Sequence, residues 1–500
     1  MNMPAREINE FPTLRDLLQG YADAPDLPVS GIASDSRLVG EGDAFFACQG
    51  ERSHGLDYLD EVRAAGAAAV IWDSSTATAP ADAGLPSIGV ADLGAKLGTI
   101  ADRFYGSPSA ALNVYGITGT NGKTTVAWLL AQCGELLGEP CGYIGTLGHG
   151  LGEIVGAEGM TTPAALQLHG QLAEFVAGHA RHAALEVSSH ALSQGRVDGV
   201  RFDAALFTNL TRDHLDYHAS MRDYFESKAR LFTECAPRNR IINLDSEYGL
   251  QLAERCGQDV VTVSTNFDRV ANGRPYVFVR SVVATGQGSD VTFTSAWGDG
   301  RFTLALPGDF NVANAALVLA LMLKKGVDLE AACECMSLVE APPGRMERVP
   351  GNGPVVYVDF AHTPNALEVA LRALRAHVRG KLWCVFGCGG DRDAGKRPQM
   401  GRIAEGMSDR VVLTSDNPRS EDPQAIIDDI LGGFARPETA TVIEDRAAAI
   451  AWTIGEAGAG DIILIAGKGH EGYQQIGDER RVFSDRAVAQ SVLAATEASR

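Results

Sequence analysis

No apolar run in this chain approaches the length of a membrane span. The longest, over residues 64–72 and 315–323, fall well short of the ~20 residues a spanning helix needs. The opening stretch, MNMPAREINEFPTLRDLL, has no apolar signal core, so the expected location is the cytoplasm. Basic charge is also scarce: 43 Lys and Arg stand against 63 Asp and Glu, a formal net charge of −20. A general binder of nucleic acid or anionic membrane needs a basic footprint, so neither partner is expected. Anionic small molecules held in local basic pockets are not excluded. The nine cysteines are an odd number and lack zinc-finger spacing. Cys333 and Cys335 are separated by one residue, Cys384 and Cys388 by three, with no second Cys/His pair at metal-binding spacing. They read as reduced or buried thiols. Internal repeats and low-complexity segments are absent as well.

At 500 residues the chain is too long for one hydrophobic core, and the usual domain size implies about three domains. Residues 1–108 hold short apolar runs broken by Gly- and Asp-rich turns, such as DAFFAC at 43–48 and AAAVIWD at 67–73. That pattern predicts a small mixed α/β domain at the N-terminus. Residues 109–340 alternate strand-like and helical stretches: a strand within 111–118, a helix over 124–137, and further strands at 183–187, 204–209, 241–243 and 260–263. The rhythm predicts a central parallel sheet with helices on both faces. Alternating apolar and polar residues at 276–284, 290–294 and 301–306 add an antiparallel patch. After APPGR at 341–345, a candidate hinge, the βα rhythm restarts through 355–359, a helix from Pro364, 382–386, 411–415 and 461–466. Residues 341–500 are therefore expected to form a C-terminal Rossmann-like α/β domain.

The segment GITGTNGKTT at 116–125 lies between a predicted strand and a predicted helix, the context of a phosphate-binding P-loop. Glycines let backbone N–H groups converge on phosphate oxygens at a helix N-terminus. Lys123 would neutralise the β- and γ-phosphates, and the Thr124 hydroxyl would bind Mg2+. The spacing departs from the strict pattern, because Ile117 stands where a glycine is usual. Farther on, ALEVSSHAL sets Glu186 at the end of a predicted strand, where a carboxylate can serve a hard cation. Met221, Tyr224 and Lys228 are spaced to share one helix face. FGCGG at 386–390 follows a predicted strand, but Arg392 occupies the third glycine position, so no dinucleotide site is expected.

GTNGKTT resembles the ATP loop of the Mur ligases and the related folylpolyglutamate synthetases. Further segments of the Mur ligase pattern follow in order, over roughly residues 30 to 475. The resemblance implies ATP contacts from Gly119, Thr120, Asn121, Gly122, Lys123, Thr124 and Thr125. It directs Asn311 and Asn314 of LPGDFNVANAA toward adenine. Arg345 of PPGRME, with Asp359 and His362 of VDFAHTPNAL, would meet the nucleotide as the enzyme closes. Phe360 stands where the family usually has tyrosine. Two Mg2+ ions are implied, with Thr124, Glu186, His214 and a CO2-carbamylated Lys228 as ligands. A carbamate offers negative oxygen where an ammonium would repel the metal. Lys123, Lys228, His214 and Glu186 form the implied catalytic set.

IASDSR and QGERSHG resemble the segments that hold a uridine nucleotide in this family, which points to Ser34, Ser36, Glu51, Arg52 and Ser53. Thr161, Thr162, Ser188, Gln194 and Arg196 are expected near the acceptor's sugar and peptide. SDNPRSEDP and AGKGHEGYQ complete the pattern. In the family, DNPR marks members that add diaminopimelate, which places Arg392, Asp416, Asn417, Pro418, Arg419, Gly467 and Glu471 around the amino acid. The implied reaction belongs to peptidoglycan synthesis. The D-glutamate γ-carboxylate of UDP-N-acetylmuramoyl-L-alanyl-D-glutamate attacks ATP, and an amine of meso-diaminopimelate then displaces phosphate from the acyl phosphate. His214 and His362 are candidates to accept the amine's proton. Two alternatives stay open. One is a sister ligase adding L-lysine or extending folate; the other is a P-loop switch or binding module, which needs neither a metal pair nor an amino-acid pocket. The expected partners are small molecules alone, with the chain acting as a monomer.

Overall fold

The computed structural model describes residues 11–50, 52–156, 159–214, 216–269, 273–286 and 288–498. Contacts divide the chain into two compact units, residues 1–123, 134–242 and 246–260 in one, and 124–133, 243–245 and 261–500 in the other.

In the first unit, β1 (Ile32–Ala33), β2 (Ala44–Ala47), β3 (Ala69–Asp73) and β4 (Ser87–Val90) form a parallel sheet in that order. β2 and β3 are buried along their whole length, as strands covered on both faces must be. Phe46 and Ile71 enter one core with Leu14, Leu17 and Ile100, whereas Phe45, Val70 and Trp72 enter another. The two-residue period of a strand sends alternate side chains to opposite faces.

A second sheet in this unit contains β5 (Asn113–Thr118), β6 (Cys141–Gly145), β7 (Gly148–Gly150), β8 (His182–Glu186), β9 (Phe202–Phe207) and β10 (Asn239–Asn243). Its order is β10-β9-β5-β8-β6-β7, parallel except for the β6–β7 pair. β5 lies between β8 and β9, so the loops leaving their carboxyl ends are neighbours. That is where open parallel sheets place ligand sites. The strand expected over 204–209 stops at Phe207, because Thr208 and Asn209 turn their hydrogen bonds onto the glycine-rich loop after β5.

In the second unit, β11 (Val261–Ser264) pairs in parallel with β12 (Tyr276–Thr285). β12, β13 (Gly288–Ser295) and β14 (Gly298–Leu304) form the expected antiparallel patch. A further sheet holds β15 (Glu347–Val349), β16 (Val355–Asp359), β17 (Leu382–Phe386), β18 (Arg410–Leu413), β19 (Thr441–Val442) and β20 (Ile462–Ala466), in the order β15-β16-β20-β17-β18-β19. Only β15 runs antiparallel to its neighbour. Tyr357, Cys384, Phe386, Leu413 and Leu464 fill the core on one face, and Val358, Trp383, Val385, Val412 and Ile463 the core on the other. Each such fully buried side chain contributes about 1.5–3 kcal/mol.

Arg446 and Asp485 form an ion pair with no exposed side-chain surface, Nε to Oδ1 at 2.7 Å. The same guanidinium donates to the carbonyls of Ala466 at 3.0 Å and Ser415 at 3.3 Å, tying together the segments that leave β18 and β20. A hairpin of β21 (Tyr473–Ile476) and β22 (Glu479–Val482) was not visible in the apolar pattern, since its second strand is exposed throughout. Among the described residues no helix is long and apolar enough to cross a membrane. All nine cysteines lie within the described residues, and each is outside any disulfide.

Candidate active site

The glycine-rich loop connects β5 to the helix Lys123–Leu136. Gly119 has φ +146°, and a Cβ there would stand 1.9 Å from Thr208 Oγ1, so only glycine fits. The loop is fixed from the β9 side. Thr120 N donates to Asn209 O at 2.9 Å, Asn121 N to Asn209 Oδ1 at 3.1 Å, and Thr208 Oγ1 to Asn121 O at 2.6 Å. Lys123 opens the helix, and its Nζ donates to the carbonyls of Gly119 and Thr120, both at 2.9 Å. Gly122 takes a positive φ just before it, and Thr124 and Thr125 are buried in the first turn.

Lys228 lies on the helix Met221–Thr233 and is 1% exposed. Its Nζ donates to Gly119 O at 2.9 Å and sits 4.6 Å from the centre of the Tyr224 ring. Burial, then the charge of Lys123, hold its ammonium well below the ordinary lysine range, which favours a neutral amine. His214 is an exposed residue with φ +51°, its ring centre 5.9 Å from that of Tyr224 and 5.1 Å from that of His190. The Tyr224 ring is thus a neighbour of both Lys228 and His214.

Glu186 ends β8 and is fully buried. Its Oε1 accepts from Tyr143 Oη at 2.6 Å and Thr146 N at 3.0 Å. Thr162 Oγ1 donates to Glu186 O at 2.7 Å and accepts from Ser188 N at 3.0 Å. Arg196 Nη1 donates to Thr162 O at 2.9 Å, and its Nε to Gln194 Oε1 at 2.9 Å. Thr161 Oγ1 accepts from Thr146 Oγ1 at 3.2 Å. The residues expected near the acceptor peptide thus gather beside Glu186. On the N-terminal sheet's loops, Ser34 and Arg52 are exposed. Ser36 donates to Glu61 Oε2 at 3.2 Å, and Ser53 Oγ is 2.9 Å from Tyr58 Oη. Glu51 lies outside the described residues.

Among the described residues no three His, Cys, Asp or Glu side chains gather into a metal cage. Mg2+ commonly keeps waters and substrate phosphates as ligands beside one or two carboxylates, and the carboxylate of Glu186 has the chemistry for such a part.

The second unit holds two further clusters. Asn311 and Asn314 are both buried on the helix Asp309–Lys324, and Asn311 Nδ2 donates to Pro307 O at 2.9 Å. Asp359, at the end of β16, accepts from Met346 N at 2.7 Å and Ala361 N at 2.8 Å. Burial raises its carboxyl, an effect opposed by the nearby Arg345 charge. The Arg345 guanidinium lies 4.6 Å from the Phe360 ring centre, a stacking any aromatic ring can offer. His362 Nδ1 is 2.8 Å from Phe360 O.

The other cluster joins the loops after β17, β18 and β20. Asp416 and Asn417 are buried, Arg419 is half-buried and Arg392 exposed. Burial raises the Asp416 carboxyl, against the pull of Arg446 and Lys468. Arg419 Nη1 donates to Gly390 O at 2.7 Å. A Cβ at Gly389 would stand 3.0 Å from Arg419 Nη1 and 3.8 Å from Arg392 Cγ, so both arginines border that glycine. Asn417 Nδ2 donates to Glu471 Oε2 at 2.9 Å. Pro418 O lies against Gly390, and Gly467 packs against Asp416 Oδ2.

Comparison with known proteins adds the family. Residues 28–105 match the Mur ligase family catalytic domain, 117–322 the Mur ligase middle domain, and 344–469 the Mur ligase glutamate ligase domain. A protein of Xanthomonas campestris pv. campestris named UDP-N-acetylmuramoyl-L-alanyl-D-glutamate–2,6-diaminopimelate ligase is 46% identical over 96% of this chain and 97% of its own length. The chain belongs to the Mur ligase family. A Pseudomonas putida Mur ligase of the same name is 44% identical over 93% of this chain and 95% of its own. A solved structure, again of a ligase so named, superposes with a TM-score of 0.72 at 33% identity, covering 97% of this chain and 99% of that one. The fold is the three-domain α/β fold of the Mur ligases, and the chain is an ATP-dependent amide-bond ligase.

Two side chains next to the Mur ligase motifs escaped the sequence reading. Lys468, inside GKGHE, is fully buried and donates to both Asn417 Oδ1 at 3.0 Å and Glu471 Oε2 at 2.9 Å. A lysine flanked by glycines reads as a solvated turn, and only the packing reveals its burial. Tyr143, which orients Glu186, sits in a short β-strand whose CGYIG pattern carries no polar signal.

Proposed function

We propose that this Mur ligase joins meso-diaminopimelate to the D-glutamate γ-carboxylate of UDP-N-acetylmuramoyl-L-alanyl-D-glutamate, a cytoplasmic step of peptidoglycan synthesis. The observation that carries the reading is the meeting of DNPR with GKGHE, Asn417 Nδ2 to Glu471 Oε2 at 2.9 Å. The distal end of diaminopimelate bears an ammonium and a carboxylate, and such an end needs donors and an anionic acceptor in one pocket. Arg419 and Asn417 supply the donors and Glu471 the acceptor. The names of the Xanthomonas and Pseudomonas relatives point the same way.

Attack of the γ-carboxylate on ATP spreads negative charge over the transferring phosphoryl group. Lys123 and the backbone N–H groups of residues 122–125 would stabilise it, those of Thr120 and Asn121 being spent on Asn209. The buried Lys228 amine, which burial disfavours as an ammonium, is suited in its neutral form to make a carbamate with CO2, losing its proton as the N–C bond forms. When bound, Mg2+ held with Thr124, Glu186, His214 and that carbamate would offset phosphate charge. Thr162, Ser188, Gln194 and Arg196 would orient the acceptor peptide. Asn311, Asn314, Arg345 and Asp359 would hold the nucleotide, and Ser34, Ser36, Glu51, Arg52 and Ser53 the uridine end. Donation from His362 Nδ1 to Phe360 O leaves Nε2 free to accept the incoming amine's proton.

The test is phosphate release from ATP with the UDP-muramoyl dipeptide and either meso-diaminopimelate or L-lysine. A kcat/KM at least about 30-fold higher with meso-diaminopimelate is expected, because lysine leaves the carboxylate-binding donors unpaired. A preference for lysine would overturn the assignment.

A further inference from the structure

Lys468 has no exposed surface, and its Nζ lies 5.6 Å from the centre of the Tyr473 ring, with its side-chain hydrogen bonds going to two residues that line the amino-acid pocket. Its Nζ donates to Asn417 Oδ1 at 3.0 Å and to Glu471 Oε2 at 2.9 Å. Gln475 N donates to the same Asn417 Oδ1 at 2.9 Å. A carboxamide oxygen has two lone pairs, and both are now used. The amide orientation follows from this. Turning it over would set an NH2 group against an ammonium and a backbone N–H, three donors with no acceptor. One Nδ2 proton is used on Glu471 Oε2, so Asn417 can offer a ligand only its second N–H.

Glu471 is constrained in the same manner. Its Oε2 receives both Lys468 Nζ and Asn417 Nδ2, and among the described residues Oε1 receives no hydrogen bond. An ammonium without exposure is strongly disfavoured unless paired. Burial of Lys468 therefore fixes the two ligand groups facing it, and with them the sense of the pocket: N–H donors at Asn417 and Arg419, an anionic acceptor at Glu471 Oε1.

Resting on the diaminopimelate reading above, we propose that Lys468 is a positioning residue that polarises this pocket and thereby selects the configuration of the distal carbon. At that carbon the carboxylate must meet Asn417 and Arg419 while the ammonium meets Glu471. Inverting the centre exchanges the two groups, putting carboxylate against carboxylate. Without Lys468 the Asn417 amide loses one of the three contacts that fix it and Glu471 can swing toward solvent, so the two configurations become less distinct.

The experiment measures kcat and KM for meso- and LL-diaminopimelate, and KM for ATP and the UDP-muramoyl dipeptide. It compares wild type, Lys468→Met and Lys468→Met/Glu471→Gln. Lys468→Met should raise KM for meso-diaminopimelate about 30-fold and lower the meso-to-LL preference about tenfold. KM for ATP and for the dipeptide should stay within about threefold. The double variant, which leaves no unpaired buried charge, should melt near wild type yet still lack the preference. If Lys468→Met does not fold, Lys468→Gln, which keeps an N–H donor without the charge and leaves Glu471 intact, carries the same measurement. An unchanged meso-to-LL ratio, or equal losses toward all three substrates, would reduce Lys468 to a structural role. Wild-type inactivity with both isomers would instead refute the diaminopimelate assignment, and the proposal with it.

Discussion

Replacing Asn417 by Asp keeps the shape of the side chain and changes one N–H donor into an oxygen. Two of its contacts survive, since Oδ1 still accepts from Lys468 at 3.0 Å and from Gln475 N at 2.9 Å. The third is inverted: the new oxygen faces Glu471 Oε2 across the 2.9 Å now spanned by a hydrogen bond. Two carboxylate charges about 4 Å apart repel by about 4 kcal/mol at an effective dielectric near 20. The lost hydrogen bond to a charged acceptor adds about 1.5–3 kcal/mol. Lys468 bridges both groups and offsets part of this, so a net cost of about 2–4 kcal/mol is reasonable, or roughly 30- to 1,000-fold in kcat/KM for meso-diaminopimelate. The effect should depend on pH. At the acid end the two carboxyl groups can share one proton, and an Asp O–H then donates to Glu471 as the amide did. Raising the pH removes that proton and restores the repulsion. The ratio of Asn417→Asp to wild-type activity should therefore fall as the pH is raised. The assay is phosphate release at several pH values under saturating ATP, with thermal melts at each pH to confirm folding. A ratio that stays flat with pH, or a variant within about threefold of wild type at the alkaline end, would refute the reasoning.

Lys123→Ala should lower turnover by several orders of magnitude with little change in melting temperature, because the lysine acts on charge that develops in the transition state. Lys228→Ala should be nearly inactive, and wild type given 13C-bicarbonate should show a carbamate resonance that the variant lacks. A wild-type spectrum without that resonance would remove the carbamate. Arg446→Met should destabilise the second unit by about 3–5 kcal/mol, because it strands Asp485 without exposure, whereas Arg446→Met/Asp485→Leu should lose much less. Denaturation followed by the fluorescence of Trp383 and Trp452, whose rings lie 6.2 Å apart, would compare them. Cys388 is buried and its thiol is pushed up to about 12, so the native protein should resist alkylation there at neutral pH; rapid labelling, read by mass spectrometry, would contradict the packing.

The parts of the site legible in sequence are those whose spacing is tied to a regular element. Tyr224 and Lys228 share a helix face, so their spacing reports the face directly. Glu186 ends a strand of apolar residues, and the end of such a run marks the edge of the sheet. The strand boundary at Phe207 was overestimated because Thr208 and Asn209 suit a strand but find better partners in the loop. What could not be read were contacts between distant segments. Lys468, Asn417 and Gln475 meet only through the order of β17, β18 and β20 and the hairpin after them. The sequence points to Asn417 only as a residue around the amino acid; its oxygen is already occupied from within the protein, which no local pattern reveals. Arg446 likewise looks like an ordinary helix-start arginine until its buried partner, 39 residues away, is seen.

Arg419 occupies the left-handed region, with φ +52°, a conformation that costs a residue with a side chain about 1–2 kcal/mol. It is kept there by the β21–β22 hairpin, through Arg419 N to Gln475 O at 3.2 Å and Gly477 N to Arg419 O at 2.7 Å. The four letters DNPR are accordingly half of a two-part lock. Moved alone into another ligase, they would carry the right side chains on a backbone free to relax, and the guanidinium would point elsewhere. Drift in the hairpin can conversely alter the choice of amino acid while the tetrapeptide stays intact. Under the proposed assignment, substrate choice rests on two segments, residues 416–419 and the hairpin of β21 and β22, and grafting it requires copying both.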